Sequence, residues 1–467
     1  MGFVAIEAKK VLSENKRYLH YIRHTDIVEL KAFANQLEVS WPTVKNAMTN
    51  LSISNIVNEL PNDKKRKFRV NPSFGYSLGI AIGASQWKVV LISYDFNTID
   101  LNKNEEFVEL RNRLIERFGV SESEECFCFK TPDTYTEIHD WCTDTINIVI
   151  DFFNTNSHVN LLSIGISLPG IIDNNTQRIV FCPNIPDLRE VELKKLIRSD
   201  VWKLIEEYEI PIVFCHDATA ATVFEKEYLY FEDNPEREYA SLPNVATIYM
   251  GSGLSSGYII NNTLVYGASG ACGEIGHLDL RCSNIHDINC EEKCEKIGVD
   301  AYLKYDKDGY EFKNKYESNL DSTKYLCQCG RQNCLEHLIR LKVFNAINCS
   351  EFNDKTSDIE LKKFAKQHPY RYKVLKNFIG QILNVTINIL NVDVIVFAGR
   401  VLNNMPELRR DMDSLKVGNT LRSSANYCKI IEGSRKPEAV AIGAAIISTY
   451  KVLEKNKDLF EISWKDY

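Results

Sequence analysis

The chain has 467 residues, 44% of them apolar and 25% charged, which suits a globular protein of more than one domain and excludes a fibrous or disordered chain. No apolar run reaches bilayer-spanning length and the N-terminus carries no signal-like apolar stretch, which predicts a cytosolic protein with no membrane partner. Charge is uneven: residues 1–72 hold 12 Lys/Arg against 7 Asp/Glu, a net of +5, while the rest of the chain holds 44 against 56, a net of −12. A basic head on an acidic body suggests a nucleic-acid-binding module joined to something that does not bind nucleic acid.

Residues 14–23 read as a first helix with Tyr18, Leu19 and Ile22 on one face. Thr25 is placed to cap a second, in which Ile27, Leu30, Phe33, Ala34 and Leu37 recur at helical spacing. After the turn at Glu38-Val39, Ser40 is a candidate N-cap for a third helix that buries Val44, Ala47, Met48 and Leu51. Its outer positions are Trp41, Thr43, Lys45, Asn46, Thr49 and Asn50, a polar set suited to base edges and phosphates. Two short strands over 54–60 and 67–70 then flank a turn, with Lys64, Lys65, Arg66, Lys67 and Arg69 at or near its tip. Three helices and a basic hairpin describe a winged helix-turn-helix; the plainer reading is a helical cap with a solvated charge run.

From Tyr76 strands alternate, SLGIAIGAS and WKVVLISYD, with Gly79, Gly83 and Ser85 near the turn, a pattern compatible with phosphate. Residues 100–132 lack clear periodicity and read as a connection. A helix over Thr136–Phe153 and a buried strand over Leu161–Leu168 follow, the strand ending at Pro169-Gly170. Asn184 then sits between Pro183 and Pro186 on a rigid loop. A helix over Leu193–Tyr208 precedes the buried strand Ile212–Cys215, which runs into His216-Asp217 and a small-residue helix. A carboxylate at the end of a buried strand is where α/β proteins place reactive groups, so Asp217 is either a general base or an N-cap.

Val245 to His277 begins as a strand and breaks at Gly251, Ser252, Gly253, Ser255, Ser256 and Gly257. It resumes as a second strand and ends on Glu274 and His277. A loop rich in free N–H groups between two strands can cradle phosphate. Residues 281–326 form a charged insertion that contains Cys282, His286, Cys290 and Cys294. The chain's 14 cysteines read as reduced thiols plus one metal site rather than a disulfide framework. Cys327, Cys329 and Cys334 form a tight knuckle, with His277 as its fourth candidate ligand; one imidazole and three thiolates make a closed tetrahedral set, structural rather than catalytic. Helices over Leu335–Ile347 and Lys373–Leu390, a strand over Asp393–Gly399 and a small-residue helix from Glu438 complete the chain.

These markers together resemble the ROK family of repressors, open reading frames and sugar kinases. The matching residues are Leu168-Pro169-Gly170, Pro183-Asn184-Ile185-Pro186, His216-Asp217-Ala218, Gly251-Ser252-Gly253, Gly273-Glu274-Ile275-Gly276-His277 and the Cys327–Glu336 knuckle. The resemblance implies an α/β fold of the actin-like, ribonuclease-H-like ATPase type, two lobes around a cleft, preceded by the winged helix-turn-helix. Its expected segments are 1–72 for the DNA-binding domain, 73–185 for a small lobe, 186–437 for a large lobe, and 438–467 for a helix returning to the small lobe. It also implies one structural zinc on His277, Cys327, Cys329 and Cys334. Asn184, His216, Asp217, Glu274, His277 and Glu336 stand at the sugar-binding positions, His216 replacing the family's usual Asn.

A family kinase would need three nucleotide loops. Here Ala81, ahead of Gly83 and Ser85, replaces an Asp that helps hold Mg-ATP. Ser255 and Ser256 follow Gly251, Ser252 and Gly253 where close phosphate approach favours glycine. Arg400 follows Gly399 in place of a second glycine. The expectation is a sugar-responsive regulator, a repressor, with no ATP and no catalytic residue. Its expected partners are a double-stranded DNA operator, a sugar or sugar phosphate, and a second copy of itself, as a homodimer or dimer of dimers. The alternatives are a hexose kinase with Asp217 as general base, and a regulator controlled by a protein partner.

Overall fold

The computed structural model describes residues 6–25, 27–61, 66–84, 86–119, 126–230, 236–251, 253–279, 301–306, 309–314, 327, 329–331, 334–340 and 358–452. Lys64, Lys65, Ser85, Ser252, Cys282, His286, Cys290 and Cys294 lie outside them. Among the described residues no helix is long and apolar enough to cross a membrane.

The chain forms two compact units. The first comprises residues 1–245, 257–272 and 436–467, and the second 246–256 and 273–435.

The first unit begins with helices α1 (Ile6–Glu14) and α2 (Lys16–Thr25), a short strand β1 (Val28–Glu29) and helices α3 (Leu30–Gln36) and α4 (Trp41–Ile53). The helix expected at 14–23 is α2; α1 precedes it unpredicted, and the break between them falls at Asn15, whose side-chain amide donates to Val11 O at 2.8 Å. Thr25 does not open the next helix; it ends α2, its hydroxyl donating to Tyr21 O. Ile27, at a bend before β1, is 42% exposed. Ser40 caps α4 as expected: its Oγ accepts from Thr43 N–H at 3.4 Å, and Val44, Ala47, Met48 and Leu51 are buried. Strands β2 (Val57–Glu59) and β3 (Lys67–Val70) pair antiparallel with Asn58 opposite Arg69. β1 adds to the other side of β3, Val28 opposite Phe68, making a three-stranded wing.

A mixed sheet forms the core of this unit. Its strands are β4 (Tyr76–Ile82), β5 (Gln86–Ser93), β6 (Phe127–Lys130), β7 (Leu161–Leu168) and, after the small antiparallel sheet of β8 (Ile171–Asp173), β9 (Arg178–Phe181) and β10 (Val191–Glu192), β11 (Ile212–His216). The order is β11-β7-β4-β5-β6; β11, β7 and β4 are parallel, β5 is antiparallel to β4, and β6 is antiparallel to β5. Residues 100–132 are not a plain connection: they contain α5 (Val108–Phe118) and the edge strand β6. α5 buries only Leu110 and Leu114, too narrow a stripe to stand out among its charges. α6 (Tyr135–Thr155) opens on Thr134, which accepts from Glu137 N–H at 3.3 Å and donates to its carboxylate at 2.8 Å, a reciprocal cap. The helix expected over 193–208 is a 3-10 turn, Leu193–Leu196, followed by α7 (Ser199–Glu207). β11 leads directly into α8 (Asp217–Tyr228).

The C-terminal helix Ala439–Val452 lies on this sheet. Gly79 and Gly165 face each other across β4 and β7; a Cβ on Gly79 would come within 2.1 Å of Ala441 O, and one on Gly165 within 2.0 Å of Ala444 O. Glycine on both strands lets the helix backbone rest on the sheet backbone. Because β11 pairs with β7, the segment 186–245 belongs to the same unit as 73–185, so the compact units do not follow the expected break at 185.

The second sheet has the order β14-β13-β12-β17-β18, from β12 (Val245–Met250), β13 (Leu254–Ile260), β14 (Thr263–Leu264), β17 (Val394–Ala398) and β18 (Lys429–Glu432). β13 carries the chain from the second unit into the first. Within the insertion, β15 (Ala301–Asp306) and β16 (Gly309–Asn314) pair as an antiparallel hairpin. The second unit also carries helices α9 (Leu335–Ile339), α10 (Asp358–Gln367), α11 (Pro369–Leu390), α12 (Arg400–Asn403), α13 (Pro406–Asn419) and α14 (Arg422–Tyr427); the C-terminal helix is α15.

Candidate functional site

The sequence-predicted residues fall into groups, each inside one unit. In the first unit, β11 delivers His216 and Asp217 to the start of α8, where the chain turns from strand to helix. His216 is the N-cap residue and makes no side-chain cap bond; Asp217 is the first helical residue, so it is not an N-cap. His216 Nε2 lies 3.1 Å from Asp217 Oδ1, and the carboxyl-bearing side chain keeps 29% of its surface exposed. Its charge sits at the positive end of the helix dipole, which favours a carboxylate there. Asn184 occupies the turn after β9 and is half-buried. Burial pushes the neighbouring Cys182 thiol up to about 12, and the Asp217 charge adds to that rise; the Asn184 turn and Asp217 therefore share one neighbourhood.

In the second unit, Gly273 has φ +97°, and a Cβ there would sit 1.7 Å from Ser256 O. Only glycine admits this contact, which Ser256 seals by donating its N–H to Gly273 O at 2.8 Å. The turn it creates sets Glu274 and His277 on one side, His277 Nε2 being 3.7 Å from Glu274 Oε2. The other ring nitrogen, Nδ1, lies 3.5 Å from Cys327 Sγ, and Cys329 Sγ lies 3.2 Å from Cys334 Sγ. The knuckle is held against the turn by a bridge between Asp279 and Cys334 and by Leu335 N–H donating to Leu278 O at 3.0 Å. The donor atoms of His277, Cys327, Cys329 and Cys334 all lie within 4.8 Å of one another. The hydrogen bond with Cys327 raises His277 to about 9, and the bond with Cys334, then burial, raises Cys327 to about 12. The cluster is a site able to hold a metal ion, and Glu274 stands behind the imidazole as a ligating histidine's outer partner commonly does.

Glu336 is engaged inside the protein. One carboxylate oxygen accepts from Leu254 N–H at 2.8 Å, and the other lies 2.7 Å from the guanidinium of Arg340, with both side chains largely buried. Sequence reading missed Arg340, although an acid and a base four apart on one helix was a usable signal.

Of the three glycine loops, the first places Ala81 inside β4, 5% exposed, and closes with Gly83 N–H donating to Gln86 O at 2.9 Å. The second closes with Gly251 N–H on Gly253 O at 3.1 Å, and the Glu336 carboxylate lies against Gly253 and Leu254. In the third, Gly399 at φ +98° approaches Met250, and the Arg400 guanidinium pairs with Asp358 at 2.8 Å.

On the winged module, Trp41, Thr43, Lys45, Asn46 and Asn50 are exposed and Thr49 is half-exposed. Lys45 Nζ lies 5.0 Å from the centre of the Trp41 ring. Arg66, expected among the basic residues free for phosphate, is committed to Glu59 by bonds of 2.6 and 2.8 Å. Lys67 opens β3 at the turn end of the hairpin, next to Phe68, which stands opposite Glu59.

The sequence profile of the ROK family matches residues 117–451. A xylose repressor of Bacillus spizizenii is 35% identical over 124 residues, 27% of this chain and 28% of that protein. A xylose repressor of Staphylococcus xylosus is 23% identical over 280 residues, 58% of this chain and 62% of that protein. These matches span less than two thirds of either relative. A ROK family transcriptional regulator, a homologue of the Escherichia coli MLC protein, superposes with a TM-score of 0.62 at 14% identity, over 95% of this chain and 98% of that one. That likeness is one of fold.

Proposed function

The chain belongs to the ROK family, and from that premise we propose that it is a sugar-responsive, DNA-binding transcriptional repressor of carbohydrate uptake or catabolism genes. The observation that carries this reading is α4. It is capped by Ser40, buried along Val44, Ala47, Met48 and Leu51, and exposed along Trp41, Lys45, Asn46 and Asn50, which is how a recognition helix meets a major groove. The state of the glycine loops favours a regulator over a kinase. Ala81 offers no carboxylate for a magnesium ion, and the Glu336 charge on Leu254 N–H opposes a phosphate at the second loop. Asn184, His216, Asp217, Glu274 and His277 are assigned to sugar hydroxyls by their place in the family motifs; carboxylates bind such hydroxyls in pairs. Glu336 belongs with them by position in the sequence, but its two oxygens hold Leu254 and Arg340, and we assign it to positioning the loop.

Zinc is the metal assigned to His277, Cys327, Cys329 and Cys334. In a tetrahedral site with Zn–S of about 2.3 Å the donors stand roughly 3.7 Å apart, and the 3.5 and 3.2 Å separations fit that shape. The role of the ion would be to fix the knuckle. The regulator acts as a homodimer, since two recognition helices on one face match a palindromic operator.

The test is binding of the full-length protein to promoter DNA of its own and neighbouring genes, with and without D-xylose and other sugars. A salt-sensitive, sequence-selective complex whose affinity changes with one sugar supports the reading. Lys45→Ala should weaken it at every sequence and lower the salt slope by about 1. Absence of any selective complex, together with ATP-dependent sugar phosphorylation lost in Asp217→Asn, would replace it by a kinase.

A further inference from the structure

The geometry points to α8 as the element that carries the state of the sugar site to the DNA-binding module, through a buried joint between Glu227 and His24. This rests on the assignment of His216 and Asp217 to the sugar.

α8 is a single helix of 12 residues, about 18 Å long. Its first residue is Asp217, beside His216. Its last turn carries Glu227, 1% exposed. The Glu227 carboxylate is held from two other elements. Oε2 lies 2.7 Å from His24 Nε2 on α2, and Oε1 accepts from the Tyr450 hydroxyl of α15 at 2.7 Å. The same hydroxyl lies 3.5 Å from His20 Nδ1, and the His24 ring stacks on Tyr230 at 3.8 Å. The remaining charged groups around the joint are Arg23 of α2 and Lys226 of α8. Arg23 lies over the Phe96 ring at 4.0 Å. Lys226 donates to Ala240 O at 2.6 Å and Leu242 O at 2.9 Å. Burial, the largest effect on each, lowers the pKa of both His20 and His24, so the imidazoles are neutral and a His24 N–H donates to the carboxylate.

Two features make this a device rather than a plain contact. A carboxylate buried to this degree needs its donors, so α2 cannot leave Glu227 without stranding a charge. The path from Asp217 to Glu227 is one hydrogen-bonded rod whose flanks are built for sliding. Ala218, Ala220 and Ala221 give it a smooth surface, and Gly443 of α15 lies against the Ala220 carbonyl. Helices in backbone contact over small residues shift against each other by shear. Displacement of Asp217 by a bound sugar therefore changes the Glu227–His24 geometry at the far end. Coupling between two sites of this kind runs at roughly 5- to 150-fold.

Amide hydrogen exchange on the full-length protein tests this, comparing peptides over residues 16–25 and 212–220 in wild type, Glu227→Gln and Tyr450→Phe. Each is measured free and with saturating D-xylose, and each is paired with Asp217→Asn, which perturbs the near end without any sugar. The expected result is that D-xylose or Asp217→Asn changes exchange in residues 16–25 by at least about fivefold in wild type, and by less than about twofold when Glu227 or Tyr450 is altered. Tyr450→Phe keeps the test open should Glu227→Gln not fold. The relay is overturned if residues 16–25 stay within about twofold in wild type under both perturbations, or if they respond equally in the two joint variants. Failure of the sugar assignment reads out separately: D-xylose then leaves residues 212–220 unprotected, and Asp217→Asn alone judges the relay.

Discussion

Gly443→Ala sets two known effects against each other at one atom. Gly443 lies inside α15, where alanine is intrinsically favoured over glycine by about 1 kcal/mol. A Cβ at this position, however, would stand 1.9 Å from Ala220 O, 2.5 Å from its carbonyl carbon and 3.1 Å from its Cα. All three are backbone atoms of α8, so no rotamer change relieves them, and the two helices must part by more than about 1 Å to restore normal contact. Overpacking costs about 1–3 kcal/mol when side chains share the adjustment. Here the backbone takes all of it, so the strain belongs at or above the top of that range. Net of the helix term, a loss of at least about 2 kcal/mol is expected. Gly418, in α13, has nothing within 4 Å of its Cβ position; Gly418→Ala feels only the propensity term and should gain up to about 1 kcal/mol. Urea denaturation of the two full-length variants, followed by circular dichroism and by protease resistance, reads the opposite signs. A Gly443→Ala protein as stable as wild type would refute the backbone contact between α15 and α8.

The metal assignment predicts about one zinc per chain by elemental analysis of purified protein. Cys329→Ser should lose the metal and lower the unfolding midpoint; a metal-free wild type as stable as the loaded one would refute a structural zinc. The buried joint predicts a pH dependence of definite sign. His20 and His24 have folded-state pKa values below the ordinary 6.5, so the unfolded chain binds more protons as pH falls below about 6.5. Their contribution is complete above that value and is lost on acidification, with a slope of at most about 1.4 kcal/mol per pH unit for each imidazole. Chemical denaturation at pH 7.5 and 5.5 should show the decline in wild type and a smaller one in His24→Gln. Equal slopes would mean that the His24 ring is charged in the folded protein.

Much of the fold is legible in the sequence because it rests on local rules. Ser40 followed by helical spacing gave α4 its start and its buried face. A short run rich in Leu and Ile, closed by Pro169-Gly170, gave β7 its observed limits. The cluster able to hold a metal was legible from ligand chemistry, since the close spacing of Cys327, Cys329 and Cys334 has few other uses. Less legible were elements whose signal is carried by neighbours. α1 lies in a lysine-bearing stretch with few apolar residues, and α5 has a stripe of two leucines. β6 is an edge strand whose identity comes from pairing Phe129 with Trp87. The joint residues gave a faint sign: His20 and His24 stand four apart on α2, and Glu225, Lys226 and Glu227 put charge on the end of an otherwise small and apolar helix.

By itself the sequence determined the parts: a basic winged head, an α/β body with ROK motifs, and a ligand set of one histidine and three cysteines. Tertiary structure decided which of those polar groups are committed elsewhere. Arg66 is tied to Glu59, Arg400 to Asp358, and Glu336 to Leu254 and Arg340. It also decided that Glu227, unremarkable in the sequence, is where α8 meets α2 of the N-terminal winged module. The reason is physical. Residue type sets what a side chain is able to bind, but a charge removed from water must take whichever partner the packing brings within about 3 Å. That partner is 203 residues away in the case of His24 and Glu227.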